Sequence, residues 1–317
     1  MLTLNDIRAA QRVIAGKLHR TPILTSKTLS EMTETSLYLK AELFQKTGSF
    51  KPRGVLNKLY HLTREERAKG LIGVSAGNHA QAVAYAARLN NIKATVVMPE
   101  KAVPSKVEAT RGYGAEVILH GDMTQLFPKA EELIRERGLV LIHPFDDPKV
   151  IAGQGTVGLE ILEDVPDAEV VIVPIGGGGL ISGISSAIKL SKPKVHVFGV
   201  EPEGANSMYR SLREGHAVKL DRVTTIADGL AAPFAGKLAY EIVKKNVDDV
   251  VLVSEGEILA AFRLILERCK VLPEPAAAAS VAALLSGKIK VRPGAKVVCV
   301  LSGGNPDLKN LSRLMES

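Results

Sequence analysis

The 317-residue chain has only two cysteines, Cys269 and Cys299. Neither has a partner at metal or redox spacing, which excludes a cysteine-built metal or redox centre. Both fall in apolar helix or strand patterns, so buried free thiols are expected. Tryptophan is absent, and aromatic residues make up 4% of the chain. Without a stripe of interleaved aromatic and basic residues, a nucleic-acid surface is excluded despite the net charge of +7. The bases alternate with acids, as in Arg64-Glu65-Glu66-Arg67, in the manner of a solvated helix face. The excess suits solubility and the attraction of anionic ligands. No apolar run is long enough to span a bilayer, which leaves no membrane role. Met1 to Arg12 mixes acids, bases and apolar residues without a secretory core, so a cytoplasmic protein is expected. No linker rich in proline, glycine or serine separates independent units. The length nonetheless suggests two domains, and apolar strands alternating with helical stretches indicate an α/β class.

Within this frame one lysine stands out. Lys51 lies in Gly48-Ser49-Phe50-Lys51-Pro52-Arg53-Gly54. Ser49 suits an N-cap and Pro52 a first helical turn, which places Lys51 at the positive end of a helix dipole. That position disfavours the ammonium. A partly neutral amine can attack a carbonyl, forming a Schiff base with a cofactor aldehyde or a substrate. The plain alternative is a surface lysine in a turn.

Three further segments bear on the choice. A buried strand, Glu169 to Ile175, runs into Gly176-Gly177-Gly178-Gly179 and then a helix from Leu180. Such a turn offers unpaired N–H groups to a phosphate, and the glycine run suggests close approach of a ligand to the main chain. A strand-like Val195 to Val200 follows, ending at Glu201, yet G-x-G-x-x-G fails because Ile181 or Ser182 stands at the third glycine position. No G-x-x-x-x-G-K-[ST] exists either, so one phosphate on a small cofactor fits better than a dinucleotide. Gly73-Val74-Ser75-Ala76-Gly77-Asn78-His79 is a second strand end and turn before an alanine-rich helix. Its N–H groups, the Ser75 hydroxyl and the Asn78 amide can hold a substrate carboxylate. His79 has no acid or second histidine at catalytic or metal spacing, so a binding or orienting role is expected rather than general base. Finally, the strand Lys296 to Leu301 ends in Ser302-Gly303-Gly304-Asn305, where an α/β fold collects ligand contacts.

In this order and spacing the segments resemble the fold type II (tryptophan synthase β-like) pyridoxal phosphate (PLP) enzymes. The resemblance is closest to the short-form, catabolic-type threonine dehydratase and serine racemase group, and it spans nearly the whole chain. Cysteine and threonine synthases would be expected to carry Ser-Gly-Asn-Thr where this chain has Ser75 to His79. The resemblance implies two open α/β domains with the cofactor in the cleft between them. It places residues 1–44 plus 147–317 in a large domain and 45–146 in a small one that closes on substrate. It makes Lys51 the Schiff-base lysine and catalytic residue, Phe50 a side chain packed on the ring, and Asn78 the partner of the ring's phenolic oxygen. Gly176, Gly177, Gly178, Gly179 and Leu180 match the phosphate cradle, and Ser302 faces the pyridine nitrogen. Ser75, Ala76, Gly77, Asn78 and His79 form the substrate loop.

The implied reaction is dehydration of L-threonine to 2-oxobutanoate and ammonia, and of L-serine to pyruvate and ammonia. A neutral hydroxyl at Ser302 makes the ring a weaker electron sink than an aspartate would, which favours loss of a β-substituent over a long-lived carbanion. Family racemases typically place a serine immediately before the loop glycine, where it protonates the face opposite the lysine. Ala76 cannot, so dehydration is preferred over the alternatives of serine racemization or 3-hydroxyaspartate dehydration. An idle cofactor-binding protein is disfavoured by the retained Lys51. The positions aligned with the racemases' divalent-metal site are Glu201, Ala205 and Ser207, which leaves one carboxylate and predicts no tight metal. Glu274 opens an alanine-rich helix as an acid that suits the macrodipole; the resemblance puts its position near the cofactor, though helix capping alone would account for it. A homodimer or homotetramer is the family expectation. The short distance from Ser302 to Ser317 leaves no room for the C-terminal domain through which related enzymes respond to isoleucine.

Overall fold

The computed structural model describes residues 2–315 and contains two sheets. The strands of the larger are β1 (Ile23–Thr25), β2 (Ser36–Ala41), β7 (Val170–Pro174), β8 (His196–Pro202), β9 (Asp249–Val253) and β10 (Lys296–Leu301). They lie in the order β1-β2-β10-β7-β8-β9. All neighbours pair in parallel except β1, an antiparallel edge strand on β2. The smaller sheet comprises β3 (Leu71–Val74), β4 (Ala94–Met98), β5 (Glu116–Leu119) and β6 (Val140–Leu141). It is wholly parallel, in the order β5-β4-β3-β6.

Parallel strands covered on both faces need apolar residues at every position, which is how β7 and β10 read. Alternate side chains go to opposite cores. Val170, Ile172, Val297 and Cys299 pack with the helix Pro275–Leu285, while Val171, Val173, Val298 and Val300 pack with the helices Pro148–Asp164 and Gly179–Ser191. Cys299 is thus a core residue whose thiol is pushed up by burial, and both cysteines are free. The small sheet repeats the pattern. Leu71, Val96 and Met98 face the helix Asn78–Leu89, and Ile72, Val74 and Val97 face the helix Leu126–Arg137.

The Lys51 helix (Lys51–Tyr60) joins these layers. A side chain at Gly153 would place its Cβ 2.4 Å from the Arg53 carbonyl oxygen, and one at Gly183 would place it 2.4 Å from Gly155 N. The Lys51, Pro148 and Gly179 helices therefore meet backbone to backbone, which no larger residue permits. Beside this contact lies a buried ion cluster. Arg53, fully buried, gives Nε and Nη2 to Glu42 (both 2.8 Å) and Nη1 and Nη2 to Glu160 (2.6 and 2.9 Å). Buried Lys40 also bonds Glu160, at 2.7 Å.

Among the described residues no helix is long and apolar enough to cross a membrane. Two local expectations are corrected. The N-cap of the Lys51 helix is Phe50, without a side-chain cap, because Ser49 is drawn into an antiparallel bridge with Gly303. And β8 runs from His196 to Pro202, one residue past Glu201, where the strand-like stretch was expected to end.

Candidate active site

The C-terminal ends of β3, β7 and β10 converge on one cleft, as expected where open α/β sheets bind ligands. It is lined by Phe50 and Lys51, by all of Ser75, Ala76, Gly77, Asn78 and His79, by Gly176 to Leu180, and by Ser302. Every residue assigned a site role from the sequence is therefore brought to the same cavity.

Lys51 is half-buried, and its Nζ donates to the Pro144 carbonyl at 2.9 Å. The Phe50 ring lies beside it, with the amine 5.0 Å from the centroid. Loss of solvent lowers the Lys51 pKa to about 8, opposed by the Glu274 carboxylate. The start of a helix acts in the same direction as the loss of solvent.

The four glycines lead into the helix Gly179–Ser191, whose N-cap, Gly178, has φ +97° and offers no side-chain cap. Its first N–H groups have no intrahelical partner, which favours an anion. The reason for the glycines is partly different from that expected. A Cβ on Gly177 would lie 2.4 Å from the Phe145 ring, and one on Gly179 would lie 2.8 Å from the Phe145 carbonyl oxygen. Protein walls, as well as any ligand, demand the absence of side chains. Phe145 belongs to an aromatic group with Phe234 (centroids 5.3 Å apart) and Phe127 that the sequence did not reveal.

Ser75 Oγ accepts from Gly77 N at 3.0 Å and so shapes its own loop, its proton remaining free to donate. His79 is 2% exposed. The Ile142 carbonyl, 2.8 Å from Nε2, can only accept, so Nε2 carries the proton. Burial first, then the Lys51 charge, push the His79 pKa to about 3. The ring is neutral and holds the loop in place; it cannot serve as a base near neutral pH.

Glu274 lines the same cleft, so of its two readings the helix cap is the one that fails. It precedes Pro275–Leu285 yet makes no side-chain cap. Its carboxylate oxygens lie 2.8 and 3.0 Å from Asn78 Nδ2. Burial and, secondarily, the charge of Asp228 raise its pKa to about 7. Glu201, fully buried, accepts from the N–H groups of Met208 (2.9 Å) and Tyr209 (2.7 Å), and burial pushes it up to about 8. Its oxygens are thus engaged at the start of the helix Ser207–Glu214. Among the described residues no group of three or more His, Cys, Asp or Glu side chains is arranged to hold a metal. Lys106 and Asp228, also on the cleft wall, form an ion pair that no local pattern announced.

An amine of lowered pKa, an uncapped glycine turn and the Ser75 hydroxyl, whose proton is uncommitted, share one cleft. Residues 14–303 match the family described as pyridoxal-phosphate dependent enzyme, and the chain belongs to that family, whose cofactor is PLP. It is 51% identical over 316 residues to the L-threonine ammonia-lyase of Thermotoga maritima, covering 99% of this chain and 78% of that protein. Among solved structures it is similar to maize serine racemase (TM-score 0.94, 40% identity, 99% and 97% of the two chains). It is likewise similar to a threonine deaminase from T.th. (TM-score 0.90, 44% identity, 96% and 98%).

Proposed function

We propose that the chain is a PLP-dependent dehydratase, an ammonia-lyase that converts L-threonine to 2-oxobutanoate and ammonia and also converts L-serine to pyruvate and ammonia. The observation that carries this reading is the placement of Lys51. Its amine, of lowered pKa, shares a cleft with an uncapped glycine turn, in a chain half identical to a protein named L-threonine ammonia-lyase.

Bound PLP supplies an aldehyde that a substrate amine can join and a ring that accepts electron density when the Cα proton leaves. The chain supplies the rest. Lys51 is the nucleophile toward the aldehyde and, once exchanged for the substrate amine, the base that takes the Cα proton. Gly176 to Leu180 would hold the phosphate with main-chain N–H groups, Phe50 would pack on the ring, Asn78 would serve the phenolic oxygen and Ser302 the pyridine nitrogen. Ser75 to His79 bind the substrate carboxylate. The domains are 1–44 plus 147–317 and 45–146. We place the enzyme in the cytoplasm as a homodimer or homotetramer.

The assay is 2-oxo acid formation from L-threonine and L-serine, with chiral analysis of the remaining serine. Oxo acid without D-serine supports a lyase; D-serine without oxo acid rejects it. Ala76 argues for the first outcome, since a methyl carries no proton. Ala76→Ser is therefore expected to produce D-serine from L-serine where the parent produces none, read by chiral chromatography.

The pKa of Lys51 gives a further expected result. The neutral amine attacks, and one unit below a pKa of about 8 only about a tenth is neutral. The rate at which cofactor-free protein takes up PLP covalently should rise about tenfold per unit at low pH and level off above about 8. Stopped-flow absorbance measures it. A rate still climbing at pH 10 would indicate an ordinary exposed lysine.

A further inference from the structure

Two neighbours of Asn78 have no part in the reaction as described. Glu274 is 2% exposed and places both carboxylate oxygens on Asn78 Nδ2. Asn305 lies on the other side. Its Nδ2 donates to Asn78 Oδ1 at 2.9 Å and to the Thr47 carbonyl at 2.7 Å.

An amide has two unlike ends, one that only accepts and one that only donates. A side chain free to rotate by half a turn could present either end to a ligand. Here the choice is removed from both directions. The Thr47 carbonyl can only accept, so it fixes the nitrogen of Asn305, and that nitrogen fixes the oxygen of Asn78. The Glu274 carboxylate accepts from the nitrogen of Asn78. One Asn78 N–H is shared between the carboxylate oxygens; the second is uncommitted, and Asn78 lines the cleft.

We infer that Glu274 and Asn305 are positioning residues that hold Asn78 as an obligate hydrogen-bond donor toward the phenolic oxygen of the pyridoxal ring. This rests on the reading that Asn78 faces that oxygen. A fixed donor favours the ionised oxygen over the protonated one. The ring's charge distribution is then set by two residues that do not touch the substrate. Glu274→Gln replaces one acceptor by an NH2 group opposite the NH2 of Asn78, at nearly unchanged volume. Asn305→Ala removes the opposite restraint and leaves the carboxylate in place.

The test is the visible absorption spectrum of the PLP-loaded protein without substrate, at equal cofactor occupancy. The ionised ring oxygen absorbs at longer wavelength than the protonated one. Glu274→Gln should move absorbance to shorter wavelength, Asn305→Ala should do so to a smaller degree, and Glu274→Gln should add nothing in an Asn78→Ala background. A changed spectrum in Asn78→Ala beside wild-type spectra in Glu274→Gln and Asn305→Ala would overturn the inference alone. An unchanged spectrum in Asn78→Ala would overturn the ring-facing reading and the inference with it. Should Glu274→Gln fold poorly, Asn305→Ala decides the question, because that residue lies outside the buried carboxylate.

Discussion

Lys51→Ala is expected to fold and to lose 2-oxobutanoate formation by at least about 10⁴-fold. General base catalysis alone contributes about 10²–10⁴, and the same amine is also the proposed covalent anchor of the cofactor. Stability should change little. The amine's hydrogen bond in the structure is to the Pro144 carbonyl, worth about 0.5–1.5 kcal/mol. Removing a desolvated amine offsets part of that loss. Borohydride reduction of the loaded protein, followed by peptide mapping, should label Lys51 in the parent and no residue in the variant. Activity within tenfold of the parent would remove Lys51 from the chemistry. Retained labelling would point to a different lysine.

Arg53→Ala should have the largest effect on stability. Wild-type Arg53 and Lys40 face Glu42 and Glu160 in a fully or nearly fully buried cluster. Without the guanidinium Glu160 keeps the Lys40 ammonium but Glu42 keeps only the Thr21 hydroxyl, and breaking a buried pair this way costs about 3–5 kcal/mol. The pH dependence has a definite sign. The Arg53 and Lys40 charges hold Glu160 below its ordinary pKa, so the cluster stabilises the fold above about pH 4–5 and loses that contribution on acidification. In the variant, burial without a partner raises the carboxylate pKa, and protonation relieves the penalty. The stability gap between parent and variant should therefore be widest near pH 7 and narrow toward pH 4. Urea denaturation at the two values measures it. Arg53→Lys, which keeps charge but not the two-pronged geometry, should lose less. A gap that is flat with pH would mean that packing, not charge, explains the loss.

These two residues stand two positions apart and were unequally legible. The chemistry of Lys51 is local: a lysine followed by proline at a helix start, near a glycine turn that any α/β pattern places at a strand's end. The role of Arg53 depends on carboxylates 11 and 107 residues away, and no periodicity connects those positions. The strand Lys296–Leu301 was readable because a strand buried on both faces must be apolar throughout. The cap reading fails for Ser49, and fails as one of two readings for Glu274, for a shared reason. Each has the residue type and position of a helix cap, and each is held instead by a distant partner, Gly303 for Ser49 and Asn78, 196 residues away, for Glu274. Local rules describe what a side chain can do in isolation, and tertiary contacts decide which option is used.

The glycine contacts among three helices act as a caliper. Gly54 and Gly153 bring the Lys51 helix against the helix Pro148–Asp164, and Gly155 and Gly183 bring that helix against the one that follows the glycine turn. The gap between the two outer helices is therefore one intervening helix, packed main chain to main chain on both sides. A ligand must match that gap in length as well as in functional groups, so these helices gauge the size of what binds before any side chain reads its chemistry.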